Sequence, residues 1–395
     1  MKTVDASLLA GSPVGTLVPI SGYDPRAQRE YNTFAFLPML PPDEVQLSAK
    51  TYVALAEAAS LVARADQAVT QLPNPELLTR QAIRKEALST SAIEGTYAAM
   101  EDVLKADFVE PSEISPEVEE IHNFVTAAET ATVWIKEKRP ITIALLEHLQ
   151  GLLVHGTSSD NSQAGRVRTT DVFIGLKGAE VENARFVPCP HGHHLRDGLL
   201  AWEGWINKTS DDMHLLARMA VGHYQFETLH PFNDGNGRLG RLVLLLQLMA
   251  AGELSHPVVA LSPWLESRRH RYQDHLFNIS AFGDFDPWVR FFCEGAAAQA
   301  RSAVERIRTL VALKDRMVVA VRQSGAKGTA VDIAGDLIGY PLFNVKLMQE
   351  RYSVSYQSAN NAVSRLVDLG LVQPISDRKW GRIFACEDAM RILVR

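Results

Sequence analysis

The sequence has very little cysteine. Only Cys189, Cys293 and Cys386 occur among its 395 residues, and they lie far apart without any C-x-x-C spacing. This pattern gives no indication of a disulfide framework or of a cysteine zinc site. Three isolated thiols are typical of a reducing compartment, so we expect a cytoplasmic protein.

Long apolar runs, internal repeats and an excess of positive charge are also missing. The first fifteen residues, MKTVDASLLAGSPVG, contain no apolar core of the signal-peptide type, and no later run approaches membrane-spanning length. We therefore expect no association with a membrane. With 40 basic and 46 acidic residues, the formal net charge is −6, which argues against a protein coated by nucleic acid over its whole surface.

Helical patterns dominate most of the chain. Residues 43–69 carry apolar side chains at helical spacing. Asn74–Pro75, Ser115–Pro116 and Thr142 are capping signals for three further helices. Prolines punctuate the first forty residues, which we expect to form an irregular lead-in. The predicted fold class is therefore mainly α.

One short segment contains most of the candidate catalytic and phosphate-binding residues. His230 to Arg241 read HPFNDGNGRLGR, and a long apolar run of helical composition follows. Gly235, Asn236 and Gly237 can adopt backbone angles that aim successive N–H groups at one point. At a helix N-terminus the macrodipole also favours an anion. The segment therefore predicts a phosphate cradle.

The side chains of this segment suit phosphate transfer. Asp234 offers a hard carboxylate oxygen of the kind that Mg²⁺ prefers. Arg238 and Arg241 share one face of the first helical turn, and guanidinium groups grip phosphate oxygens well. His230 is the candidate general base because its proton exchanges near neutral pH. The alternative is an ordinary glycine-rich helix cap with a surface histidine and solvated arginines.

The segment resembles the Fic family signature, H-x-F-x-(D/E)-G-N-G-R-x-x-R. Every fixed position is met, by His230, Phe232, Asp234, Gly235, Asn236, Gly237, Arg238 and Arg241. The resemblance implies a helical bundle with a β-hairpin flap. It also implies a protein adenylyltransferase, which moves AMP from ATP onto a Ser, Thr or Tyr hydroxyl of a target protein or of itself.

The resemblance also implies a role for each residue. Mg²⁺ on Asp234 would bridge the α- and β-phosphates, and His230 would take the proton of the attacking hydroxyl. Tyr272 would contact the nucleotide base, although Gln273 follows it where many relatives have a second tyrosine. The implied nucleotide-binding residues are Gly235, Asn236, Gly237, Arg238, Arg241 and Tyr272.

Two β-rich runs within 171–187 predict a hairpin with a long loop. In the Fic family the corresponding hairpin is a flap, which binds an extended segment of the target protein by strand addition. The alternative is an ordinary hairpin that covers the core.

Residues Thr90 to Gly95, TSAIEG, match a second Fic pattern, (S/T)-x-x-x-E-(G/N), which marks an inhibitory helix. We expect Glu94 to pair with Arg241 through a charge-assisted hydrogen bond, so that the arginine is unavailable to the γ-phosphate. Thr90 would hold the motif in place. The alternative is a helix-terminal Glu before a C-cap glycine. In some relatives this glutamate also orients water that removes AMP, and the sequence leaves that activity open, as it does another nucleotide or phosphate transfer.

The C-terminal part has a different pattern of predicted helices and strands. A short helix, a turn, a helix over 355–369 and two β-rich runs predict a winged helix-turn-helix. The second helix carries polar residues able to face base edges, and the wing adds Arg378, Lys379 and Arg382. A DNA-binding regulator that uses residues 355–382 is therefore the rival hypothesis. From Lys327 onward 9 basic residues face 7 acidic ones, a net charge of only +2 and a weak phosphate-binding footprint.

Three regions are therefore predicted. An N-terminal helical region with the inhibitory helix spans 1–110, a Fic catalytic domain spans 111–312, and the winged-helix domain spans 313–395. We expect the chain to form a homo-oligomer.

Overall fold

The computed structural model describes residues 6–24, 28–72, 74–175, 181, 184–208, 212–375 and 382–394. Helices account for 63% of the structure, which confirms the prediction of a mainly α protein. The α-helices within these ranges are α1 (Ala6–Ala10), α2 (Ala49–Thr70), α3 (Glu76–Glu94), α4 (Met100–Lys105), α5 (Pro116–Lys136), α6 (Ile143–Val154), α7 (His193–Asn207), α8 (Leu215–Leu229), α9 (Asn236–Ala250), α10 (Ser262–Glu266), α11 (Arg269–Phe282), α12 (Phe285–Gln323), α13 (Thr329–Asp336), α14 (Val345–Tyr352), α15 (Tyr356–Asp368) and α16 (Glu387–Val394).

The prediction of an irregular lead-in was wrong. Strands β1 (Gly15–Asp24) and β2 (Arg29–Pro38) form an antiparallel hairpin whose register runs from Gly15 opposite Pro38 to Asp24 opposite Arg29. The prolines misled the prediction, because Pro19 lies inside β1 opposite Phe34. A proline is tolerated in a strand whose N–H side needs no partner.

The capping signals located three helices correctly, although the N-cap of α3 is Pro75 rather than the predicted Asn74 and makes no side-chain capping bond. Ser115 accepts a hydrogen bond from the amide of Val118 and opens α5, and Thr142 does the same for Leu145 at the start of α6. Helix α3 ends at Gly95 in the left-handed conformation, with φ of 100°. These ends are fixed locally, since short-range hydrogen bonds satisfy the free amides of a first turn.

The hydrophobic core surrounds α8 and α9. These two helices pack against each other, and α5, α6, α7 and α12 cover them. Almost every side chain of α9 is buried, from Leu239 to Met249. A helix that is apolar on all sides must lie in the middle of a bundle, so the loop that joins α8 to α9 is held rigidly from both ends.

Helix α12 connects the bundle to the C-terminal part. It is 39 residues long, lies along α2 and then contacts α13 and α16. The predicted boundary between residues 312 and 313 therefore falls inside one continuous helix. The two regions share a core through side chains such as Leu313 and Met317.

The C-terminal elements follow the expected order. Strands β3 (Leu342–Asn344), β4 (Gln373–Pro374) and β5 (Ile383–Ala385) form an antiparallel sheet in the order β3-β5-β4. Ser353, with φ of 52°, makes the turn between α14 and α15. This order is compatible with a winged helix, which stays a prediction.

The DNA-binding hypothesis gains no support from the described residues. Arg365 of α15 donates a 2.5 Å hydrogen bond to the carbonyl of Ser324, and Gln357 bonds Asn361 within the same helix. Arg378 and Lys379 lie outside the described residues, whereas Arg382 lies within them. DNA binding through 355–382 stays a prediction.

All three cysteines are free and buried. In the part of the chain that the structure describes, none of the helices has the length and apolar character needed to span a bilayer.

Candidate active site

The loop over 230–235 connects the ends of α8 and α9. His230 follows α8 and is left-handed, with φ of 49°. Gly235, with φ of 80°, is the N-cap of α9. A left-handed backbone is uncommon for a residue with a side chain and persists where the surroundings enforce it.

Arg168 enforces this conformation, and sequence reasoning missed it. Its side chain is fully buried and donates hydrogen bonds to the carbonyls of Leu229 (3.1 Å), His230 (2.7 Å) and Cys189, while its amide bonds the carbonyl of Pro231 at 2.9 Å. One planar guanidinium thus satisfies the carbonyls of a tight bend. In the sequence, Arg168 lies outside the predicted helices, and an arginine at such a position gives no sign that its side chain is buried.

Asn236 holds the loop from the other side. Its side chain accepts a 2.8 Å bond from the amide of Phe232 and donates a 2.7 Å bond to that residue's carbonyl. The buried amide therefore folds the loop onto the first turn of α9. Only its backbone N–H is placed to serve the anion site predicted at this helix N-terminus.

The imidazole of His230 is largely buried, with 20% of its side chain exposed. Its Nδ1 lies 3.3 Å from the carbonyl oxygen of Glu227, which places the N–H on Nδ1 and leaves Nε2 as the basic nitrogen. Burial, with the positive charge of Arg168, lowers the pKa of His230 to about 4. At neutral pH the ring is therefore uncharged and able to accept a proton.

Arg241 and the end of α3 meet beside this histidine, as predicted. The Nη2 atom of Arg241 lies 2.6 Å from Oε1 of Glu94, and its Nε lies 2.7 Å from the hydroxyl of Thr90. Nη2 also donates a 3.1 Å bond to the Thr90 carbonyl. Burial opposes ionisation of Glu94, but Arg241 outweighs it and holds the pKa of the carboxyl below its usual value. The two form an ion pair.

The carboxylate of Glu94 lies at the N-terminus of α9. A methyl group on Gly237 would overlap Oε1 of Glu94 and would come within 2.9 Å of Nη1 of Arg241. The glutamate thus takes the position in which the free amides and macrodipole of a helix favour a phosphate. Substitution of Gly237 by any larger residue would crowd this position.

Arg238 is held by two acids. It is 2% exposed, forms a close ion pair with Glu120 of α5 and lies 3.3 Å from Oδ2 of Asp234. The other oxygen of Glu120 accepts a 2.8 Å bond from Thr96. Sequence reasoning missed Glu120, because only the packing of α5 against α9 brings it to the motif. Contact of Arg238 with a nucleotide stays a prediction.

Asp234 has the exposure that a metal ligand needs. Its Oδ1 accepts a 2.8 Å bond from the amide of Gly235, and 47% of the side chain is exposed. Mg²⁺ in nucleotide sites takes one or two carboxylates and completes its shell with water and phosphate. One exposed carboxylate beside a helix N-terminus fits that requirement.

Tyr272 is buried and contacts His223 of α8. It is 3% exposed, and its hydroxyl is 2.7 Å from Nε2 of His223. Burial raises the pKa of Tyr272 and lowers that of His223 to about 3, so both are neutral. The contact of Tyr272 with a nucleotide base stays a prediction.

The expected flap is present where the structure describes it. Ile174 pairs with Phe186 in an antiparallel bridge, and residues 176–180, 182 and 183 of the loop lie outside the described residues. An unforeseen neighbour is β2, because the amide of Phe36 donates a 2.9 Å bond to the carbonyl of Val187. The N-terminal hairpin thus packs beside the second run of the flap.

This geometry defines a class: a helical bundle in which a histidine, a helix N-terminus and two buried arginines converge. Residues 52–133 match the Fic/DOC family N-terminal region, and residues 140–248 match the Fic/DOC family. The chain therefore contains a Fic/DOC N-terminal region followed by a Fic/DOC domain.

Named relatives agree with this assignment. The chain is 32% identical over 154 residues to the protein adenylyltransferase fic-1 of Caenorhabditis elegans, which covers 38% of this chain and 27% of that protein. It is 34% identical over 136 residues to the protein adenylyltransferase Fic of Culex quinquefasciatus, which covers 34% and 24%. The chain thus spans about a quarter of the length of these relatives.

A solved structure shows the same fold. A Fic family protein from Desulfovibrio desulfuricans G20 superimposes with a TM-score of 0.54 at 18% identity, covering 87% of this chain and 97% of that one. At this identity the likeness concerns the fold alone.

Proposed function

We propose that this chain is a protein adenylyltransferase, which transfers AMP from ATP to a hydroxyl side chain of a target protein or of itself. The observation that supports this most is the position of His230. Its ring is uncharged with Nε2 as the basic nitrogen, and it lies close enough to Glu94 and Asp234, at the start of α9, for their charges to act on its pKa. A proton acceptor beside an anion-binding helix end is what transfer from a phosphate donor to a hydroxyl requires.

The reaction then follows from this arrangement. Nε2 of His230 takes the proton of the attacking hydroxyl as its oxygen forms a bond to the α-phosphorus. The bond from that phosphorus to the β-bridging oxygen breaks, and pyrophosphate leaves with the electron pair. The amides at the start of α9 and the guanidinium of Arg241 compensate the charge of the phosphates. Such transfers depend almost wholly on positioning and charge compensation.

Asp234 would hold Mg²⁺ in this reaction. The metal, when bound with ATP, supplies charge neutralisation at the phosphates. The carboxylate itself contributes an exposed oxygen next to the cradle, and Gly235 orients that carboxylate through its amide.

Glu94 would hold the enzyme in an inhibited state. Its carboxylate lies on Arg241 and at the N-terminus of α9, which are both needed for phosphates. Nucleotide that enters while Glu94 remains there would lack Arg241 as a ligand. Movement of the last turn of α3 would release both features together.

The target protein would bind along the flap, residues 171–187. Val187 already bonds β2 through its carbonyl, so we place target pairing on the run that begins at Asp171. The homo-oligomer also belongs to this proposal, and sedimentation of the purified chain at several concentrations tests it.

The decisive experiment follows label from each phosphate of ATP. Purified chain with Mg²⁺ and α-labelled ATP should label protein, and His230→Ala should abolish the label. Transfer of γ-label would instead indicate kinase-like chemistry. Release of AMP from a labelled target, lost in Glu94→Gly, would indicate the reverse activity.

A further inference from the structure

Glu227 is a buried acid that the proposed reaction does not use. It lies on α8, three residues before His230, and 14% of its side chain is exposed. Among the described residues, its Oε1 atom has no hydrogen-bond partner. A buried acceptor without a partner is destabilising, so its presence calls for a functional explanation.

The carboxyl group lies between two histidines. Its Oε2 is 4.0 Å from Nδ1 of His230, and its Oε1 is 3.9 Å from Nε2 of His223. His223 donates or accepts its short bond with Tyr272 instead. Of the two histidines, His230 is therefore the one whose charge changes in the reaction. Glu227 lies on the Nδ1–H side of its ring.

The backbone leaves room for this carboxyl group. A methyl group on Gly240 of α9 would lie 2.6 Å from Oε1 of Glu227 and 3.0 Å from the ring of Phe226. Glycine at this position, between the two arginines of the motif, lets α9 approach α8 with the acid between them. The close packing fixes the distance from the acid to His230.

We propose that Glu227 is a positioning residue for His230, whose carboxylate stabilises the imidazolium that forms when His230 takes the proton of the substrate hydroxyl. This inference rests on the proposed transfer of AMP. A negative charge about 4 Å from a developing positive charge, shielded from water, lowers the energy of the charged form. The carboxylate contacts neither substrate nor phosphate.

Charged and titratable groups surround Glu227 on every side. Arg241 of α9, Glu94 of α3, Tyr272 of α11 and both histidines face it. Burial raises the pKa of Glu227 to about 7, Arg241 opposes this rise and Glu94 adds to it. The acid therefore changes charge in the neutral range, and the rate of transfer should follow its ionisation.

The test uses Glu227→Gln in the full chain that also carries Glu94→Gly. We expect kcat to fall about tenfold or more with the KM for ATP unchanged. We also expect the rate of the Glu94→Gly chain to decline at acidic pH, where Glu227 takes up a proton, and this decline to disappear when Glu227→Gln is added, which a purely structural role would not change. Glu294→Gln, the same substitution at an exposed position of α12, should change neither.

A second measurement needs no activity. With histidine labelled at Cε1 and the His230 signal assigned by its loss in His230→Ala, that signal should show an inflection near pH 7 that Glu227→Gln removes. Absence of the inflection in wild type, or an unchanged kcat and pH profile in folded Glu227→Gln, overturns the inference. If Glu94→Gly transfers no AMP at all, the proposed function fails, and the inflection still tests the contact.

Should Glu227→Gln unfold, Gly240→Ala is the second variant. Its methyl group displaces the carboxyl group without removing the charge, so a weakened inflection and a lower kcat are expected. An unchanged inflection and kcat in folded Gly240→Ala would count against the inference.

Discussion

Glu94 and Arg241 are 147 positions apart in the chain, and one 2.6 Å hydrogen bond joins the last turn of α3 to the second turn of α9. The bond is charge-assisted, and the arginine end is almost fully enclosed, with 1% of its side chain exposed. The glutamate end is open to solvent, with 42% exposed. The proposed inhibition by this pair should therefore be strong and reversible.

The first prediction concerns release of this pair. Glu94→Gly should increase transfer of AMP, because it frees an arginine that is already in position. A charge-assisted bond contributes about 1.5–3 kcal/mol, and the exposure of Glu94 favours the lower end, which is roughly tenfold in rate. Initial rates with α-labelled ATP measure it. Glu44→Gly, in the exposed segment before α2, should behave as wild type.

The second prediction orders two substitutions. Arg241→Ala should be inactive both alone and with Glu94→Gly, because the arginine serves the nucleotide as well as the inhibitor. The same assay measures it, with circular dichroism to show that the variants are folded. An active double variant would remove the argument that Arg241 is a phosphate ligand.

The third prediction concerns the metal. Asp234→Ala should lose activity chiefly at low Mg²⁺ concentration, and excess Mg²⁺ or Mn²⁺ should restore part of it, because phosphate and water supply the remaining ligands. A titration of rate against metal concentration gives the shift in half-saturation. Full activity of the variant at low Mg²⁺ would contradict the assignment of Asp234.

The fourth prediction concerns Arg168. Arg168→Lys keeps the charge but loses the fork that bonds several carbonyls around His230. Leaving buried acceptors unpaired costs about 1–3 kcal/mol each, so the midpoint of urea unfolding should fall clearly and kcat with it. Arg166→Lys, two residues earlier and exposed, is the matched control. Equal stability of the two variants would show that the hydrogen bonds from Arg168 to these carbonyls are dispensable.

Local signals predicted the helices and the residues of the motif. Ser115 and Thr142 revealed helix starts because capping is a short-range effect, and the motif revealed His230 and Arg241 because they lie within twelve positions. The TSAIEG pattern also placed Glu94 next to Arg241 correctly.

What the sequence could not reveal depends on packing. In the sequence, Arg168 resembles an ordinary loop residue and Glu120 an ordinary residue on a helix surface. Packing of the bundle buries Arg168 and brings Glu120 into an ion pair with Arg238. The β1–β2 hairpin was missed because its prolines are turn signals in isolation, whereas the long pairing register outweighs them in the fold. Glu227 lay three positions from His230, a helical neighbour that could have been noticed.

The last prediction is a dependence of stability on pH. Burial raises the pKa of Glu227 from 4.5 to about 7, so the folded chain holds one more proton than the unfolded chain between these values. The stability that this group contributes is therefore present at low pH and is lost as the pH rises from about 4.5 to 7. At about 1.4 kcal/mol per pKa unit, the loss is about 3 kcal/mol.

Two histidines act in the opposite direction. Burial lowers the pKa of His223 to about 3 and of His230 to about 4, so the unfolded chain takes up their protons first and stability falls as the pH drops below about 6.5. Both histidines remain in Glu227→Gln, so its difference from wild type isolates the glutamate. In urea unfolding, the variant should gain up to about 3 kcal/mol relative to wild type between pH 4.5 and 7 and then stay level. A difference that does not change with pH would mean that Glu227 ionises in the folded chain as it does in water, and that the charge near His230 is already fixed at acidic pH.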